Sequence, residues 1–146
     1  MPGRRRTPPT LVVYAKDKDR VSRFYRATLG LDAVESEPSY DRLAGHGIAL
    51  VVHAIPAPIA ADIQVTRPPR LREETPFKPI FACADLRAVR KAARATGGGL
   101  APARARWRWD GRILLDGWDP EGNVVQFAQP EAPPAPPPAS ARRAKR

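Results

Sequence analysis

Residues 119–127 read Asp119-Pro120-Glu121-Gly122-Asn123-Val124-Val125-Gln126-Phe127, "DPEGNVVQF". The first five residues have turn chemistry. Pro120 presets φ, and Gly122 and Asn123 tolerate positive φ. A strand follows in which Val125 and Phe127 share one face and Val124, Gln126 and Ala128 share the other. Gln126 is a single polar side chain on an apolar face. Whether it is a ligand, a relic or a polar point in a pocket is the question the sequence poses.

The same pattern occurs earlier. "AGHGIALVV" (44–52) matches "PEGNVVQFA" (120–128) at an offset of 76 residues. Upstream, "TLVVYAKD" (10–17) is a β-branched strand, and "DKDRVSRFYRATLG" (17–30) places Val21, Phe24, Tyr25, Thr28 and Leu29 on one helical face. Asp17 can cap that helix and Gly30 can close it. Strands are expected at 31–36, 39–44 and 47–54. "FKPIFACAD" (77–85) and "DLRAVRKAARATGGG" (85–99) repeat the strand and helix, with Asp85 standing 68 residues after Asp17. Three more strands are expected around 100–108, 111–117 and 122–129, the first two joined by an Asp110-Gly111 hairpin. The fold class is therefore α+β: two βαβββ modules, 10–54 and 77–129, within a domain spanning 10–129. Residues 55–76 are Pro-rich and read as an extended linker.

The flanks differ in composition. Residues 1–9 form a basic arm, and 130–146 hold six of the 18 prolines and no large apolar side chain, so both are expected to be disordered. These flanks carry six of the ten net positive charges. The basic tails suit weak, nonspecific nucleic-acid contact, although a solvated tail is the simpler reading. No run approaches the ~18 apolar residues of a membrane span. The single cysteine, Cys83, excludes an intrachain disulfide, and no Cys/His spacing suggests zinc. A cytoplasmic protein without a membrane partner is the expectation.

The repeat, with "KDKDRVSRFYRATLGL" (16–31) and "DPEGNVVQF", resembles the vicinal oxygen chelate superfamily: glyoxalase I, extradiol dioxygenases, fosfomycin resistance enzymes and bleomycin-binding proteins. The resemblance implies that each module curls its mixed sheet into a half-cup with helices outside. It also implies four metal-ligand positions on the first and last strands of the modules. These fall at Thr10, Leu50, Lys78 and Gln126. Leu has no donor atom, Lys repels a divalent ion, and Gln has lost the carboxylate charge. No metal and no cofactor are therefore expected.

By strand alternation the inward face should carry Thr10, Val12 and Tyr14; Ile48, Leu50 and Val52; Lys78, Ile80 and Ala82; and Val124, Gln126 and Ala128. His46 reads as a turn residue, and His53 should point away from Leu50 and so away from the cup. Trp107 and Trp109 share a strand face and could form an aromatic wall. Tyr14, Leu50, Lys78, Trp107, Trp109 and Gln126 are the candidate ligand-binding residues. The leading reading is a metal-independent protein of the bleomycin-resistance type that sequesters an apolar or aromatic organic ligand. It is expected to be a homodimer, with pairing of modules within or between chains left open. The alternatives are a metal-dependent lyase, isomerase or dioxygenase of the same superfamily, and an interaction module with nucleic-acid-binding tails.

Overall fold

The computed structural model describes residues 6–132. The expected tail disorder at 1–5 and 133–146, and the tail contacts with nucleic acid, lie outside the described residues. The first sheet contains β1 (Thr10–Ala15), β2 (Asp32–Glu37), β3 (Tyr40–Gly45) and β4 (Ile48–Ala54) in the order β1-β4-β3-β2. The second contains β5 (Ile80–Ala82), β6 (Gly99–Leu100), β7 (Trp107–Trp109), β8 (Arg112–Trp118) and β9 (Val124–Pro130), in the order β5-β9-β8-β6 with β7 paired to β8. Helix α1 (Lys18–Leu29) follows β1, and α3 (Leu86–Ala95) follows β5. Both sheets are mixed: β1 runs parallel to β4, β5 runs parallel to β9, and the other pairs are antiparallel.

Local chemistry sets the helix ends. The Asp17 carboxylate accepts the Arg20 backbone N–H, and the chain leaves α1 at Gly30 in the left-handed region. Asp85 caps α3 in the same way, through the Arg87 N–H. The Asp110-Gly111 turn has φ of 52° and 67°, the positive pair that a tight hairpin demands.

Two expectations need correction. The strand expected around 100–108 is broken into β6, a 3₁₀ turn at Ala103–Ala105 and β7. Pro102 supplies no N–H for a continuous ladder. The linker is not merely extended. It forms a one-turn helix, α2 (Ala57–Ala60), and then straps back onto the second module. Arg72 bridges Asn123, and its backbone N–H donates to Gly122 O at 2.8 Å.

The helices pack against each other between the two sheets. One core runs through both modules: Val21, Phe24 and Tyr25 from α1, Val89 and Ala93 from α3, Leu50 and Val52 from the first sheet, and Phe81, Leu115, Val125 and Phe127 from the second. The sheet faces turned away from the helices are open. Val12, Tyr14, Ile80, Trp107 and Trp109 lie there as exposed large apolar side chains.

The 119–123 turn joins the halves. Asp119 is fully buried. Its Oδ2 accepts Tyr25 Oη–H at 2.9 Å and Asn123 Nδ2–H at 2.7 Å, and its Oδ1 accepts the N–H groups of Glu121 and Asn123. Burial pushes the Asp119 carboxyl up, against these hydrogen bonds. Burial also pushes the Tyr25 hydroxyl well up, reinforced by the Asp119 charge. The next carboxylate, Glu121, accepts the backbone N–H groups of Lys16 and Asp17, each at 2.8 Å.

Two predictions follow from these contacts. A Cβ on Gly122 would meet Arg70 O at 2.0 Å, whereas one on Gly111 meets nothing within 4 Å. Both glycines have positive φ. Urea denaturation should therefore find Gly122→Ala costlier than Gly111→Ala by more than ~1 kcal/mol; equal costs would mean that the strap is not seated there. Asp41 supplies a pH test. Burial raises its carboxyl, but Lys18, Ser22 and Ser36 outweigh that and hold it below its usual 3.8. A lowered carboxylate stabilises the fold above its unfolded value and loses that contribution as pH falls through the folded one. The stability gap between wild type and Asp41→Asn should therefore shrink on acidification below about 3.8. A gap that widens would contradict this.

Candidate functional site

The open face of the second sheet holds the denser polar group. The β9 register places Gln126 opposite Ile80 on one side and Asp116 on the other. Lys78 projects from just before β5, and its Nζ donates to Asp116 Oδ2 at 3.0 Å. Asp116 Oδ1 is buried and has no hydrogen-bond partner among the described residues. Such an atom is costly to leave unpaired and asks for a donor. A cavity of about 300 Å³ opens beside it. Leu71, Arg72 and Thr75 of the linker form one side, and Lys78, Asp116 and Trp118 of the sheet form the other. Gln126 lies two pairs along from Trp118 and Val124, on the same face but outside the cavity lining.

Trp107 and Trp109 stand on this same open face, opposite Leu114 and Arg112, at the lip of the sheet. The Arg112 guanidinium lies 5.2 Å from the Trp109 ring centroid. Both indoles remain about half exposed.

The first sheet departs from expectation. Leu50 is opposite Leu11 and Leu43, fully buried in the helix-side core, and Val52 follows it there. The open face instead carries Thr10, Val12 and Tyr14 with Ala49, Val51 and His53. Leu50 is therefore not a cup residue, and His53 is one. Alternation correctly separates Leu50 from His53, but which set meets the helices depends on the β1–β4 register. That register pairs Leu11, not Thr10 or Val12, with Leu50. The spacing that leads from Lys78 to Gln126 in the second module leads from Thr10 to Val51 in the first. On that spacing the position that the resemblance implied at Leu50 corresponds to Val51, alongside Thr10, Lys78 and Gln126. One hydroxyl, one amide and an ammonium already paired to a carboxylate do not fit a divalent metal. Among the described residues no three His, Cys, Asp or Glu side chains converge.

Three contributors were not anticipated: Asp116, His53 and the 71–75 strap. Asp116 had a signal. A hairpin laid out around 119–123 puts it opposite Gln126. The strap had none, because Pro-rich composition does not say where a linker docks. A groove of about 750 Å³ lies between the linker and Glu121. Glu121 is already engaged there by the Lys16 and Asp17 backbone, and Arg72 Nε donates to Glu121 O.

Two βαβββ units with open concave faces define the vicinal-oxygen-chelate class. A glyoxalase-like domain family matches residues 10–128, and the chain belongs to it. In fold it is similar to a glyoxalase/bleomycin resistance protein from Albidiferax ferrireducens T118, at 17% identity and TM-score 0.58, covering 82% of this chain and 95% of that one. A glyoxalase/bleomycin resistance protein/dioxygenase family enzyme from Burkholderia phytofirmans PsJN is similar at 20% identity and TM-score 0.58, with the same coverage. The fosfomycin resistance protein FosX from Mesorhizobium loti aligns at 10% identity and TM-score 0.57, covering 83% of this chain and 89% of that one. No curated protein matches the chain. No helix among the described residues is long and apolar enough to cross a membrane.

The face assignment is testable. Leu50→Ala should cost ~2–5 kcal/mol in urea denaturation, as a buried leucine does. Val51→Ala, on the open face, should cost less than ~1.5 kcal/mol. The reverse order would put Leu50 back in the cup.

Proposed function

We propose that the protein binds a small organic molecule without a metal, on the open face of the second sheet. The observation that carries this reading is the unpartnered Asp116 Oδ1 beside a cavity walled by Trp118, Val124 and Leu71. The ligand is apolar or aromatic and carries one N–H or O–H donor for Asp116. Lys78 and Gln126 then serve as polar points for a carbonyl or an anionic group. Fixed polar points in an apolar wall orient a ligand without any covalent step.

A second copy of the chain is the covering proposed for the open faces. β1 and β5 each lie at the end of their strand order, and the faces beside them expose apolar side chains. The cytoplasm is the proposed compartment, supported by the free Cys83.

The test uses purified protein. Mn²⁺, Ni²⁺, Zn²⁺ and Fe²⁺ should each leave its Tm unchanged. A binding metal would add ~2.7 kcal/mol at a hundredfold excess over Kd. One equivalent of metal retained through purification overturns the metal-free reading. A screen of aromatic amides and phenols by tryptophan fluorescence should find ligands whose affinity falls at least about fivefold in Gln126→Leu or Asp116→Ala, the loss of roughly one hydrogen bond. Unchanged affinity in both variants would remove the site from this face.

A further inference from the structure

The open face of the first sheet carries a separate constellation that the reading above does not use. Tyr14, His53, Tyr40 and Glu37 stand in one row across β1, β4, β3 and β2, each directly opposite the next. The His53 ring stacks with Tyr40 at 6.3 Å and 17° between planes, and lies 5.7 Å from Tyr14. The Tyr40 hydroxyl donates to Glu35, whose other oxygen accepts Arg42 Nε–H at 3.1 Å, so the Tyr40 ring is held in place. His53 Nδ1 lies 2.8 Å from Ala54 O. A carbonyl only accepts, so Nδ1 carries the proton, and Nε2 of the neutral ring is an acceptor. Tyr14 and Glu37 are exposed.

Every group this row presents is electron-rich. The tyrosine faces carry negative quadrupoles, Nε2 carries a lone pair, and Glu37 carries a full charge. Arg42, two residues along β3 from Tyr40, is already paired to Glu35. We propose that this row is a binding site for a flat organic cation of the guanidinium or amidinium class. The plane of the cation lies on the exposed Tyr14 ring, which is tilted 50° from His53, and its N–H groups point to His53 Nε2 and Glu37. Planarity matches the face of the Tyr14 ring, and several N–H donors match the acceptors at His53 Nε2 and Glu37. The chemistry can come from a free small molecule or from an arginine of a second copy. The inference does not depend on the ligand reading for the second sheet, and it is read at different residues.

Benzamidine is the probe, benzamide its neutral counterpart, and the readout is NMR of the His53 and Tyr14 ring signals in the full chain. Benzamidine should give saturable shifts at His53 and Tyr14 and leave the Trp118 indole signal unmoved. Benzamide should bind at least about tenfold more weakly, reflecting the lost cation–π and ion-pair terms. Tyr14→Leu and Glu37→Gln, both at exposed positions, should each weaken benzamidine by at least about threefold while circular dichroism stays unchanged. Sedimentation with and without benzamidine separates the sources. Dissociation of a self-associated species assigns the site to an arginine of a second copy, and unchanged mass assigns it to a free cation. Equal binding of benzamide, shifts confined to the second sheet, or no saturable shift would each overturn the proposal.

Discussion

The Asp119 carboxylate, buried against Tyr25, is the contact on which the rest depends. Its oxygens take hydrogens from two elements at once: the turn that starts β9 and the helix that follows β1. A buried carboxylate is tolerable only when fully hydrogen-bonded. The fold meets that condition only when α1 lies against the end of the second module. Glu121 repeats the tie two residues later, through the Lys16 and Asp17 backbone. The motif "DPEGN" and the Phe24-Tyr25 pair, far apart in sequence, are two halves of one clasp. The clasp keeps the helices between the sheets, so both concave faces stay open.

That arrangement separates two chemistries. The second sheet presents Lys78, Gln126, tryptophans and an unpaired carboxylate oxygen beside a cavity. The first presents tyrosines, an acceptor imidazole and a carboxylate. Among the described residues, neither brings together a cluster of anionic oxygens and imidazoles of the kind a catalytic metal needs. The glyoxalase-like domain family sets the scaffold, but function resides in the site.

Much of the fold was legible in local chemistry. Asp17 and Gly30 marked the ends of α1, Asp110-Gly111 marked a hairpin, and the repeat of Asp17 in Asp85 marked the second module. Gln126 was readable as a polar point on an otherwise apolar face. The first-sheet face was misread because β4 is apolar on both sides. "IALVV" offers no alternation to say which residues meet the helices, and only the pairing of Leu11 with Leu50 settles it. The role of His53 was lost with that choice. Asp116 needed a cross-strand partner to be noticed, and the strap at 71–75 docks through the Arg72 backbone N–H on Gly122 O and the Arg72 Nε–H on Glu121 O, which composition does not encode.

A double-mutant cycle on the clasp tests the central claim most directly. Stabilities of wild type, Tyr25→Phe, Asp119→Asn and the double variant would be compared in urea. If the Tyr25–Asp119 hydrogen bond joins the two modules, the coupling energy should fall in the ~0.5–3 kcal/mol range expected of groups in direct contact. Strict additivity of the two single changes would mean that helix and turn do not meet, and the account of two open faces around a shared helical core would fail.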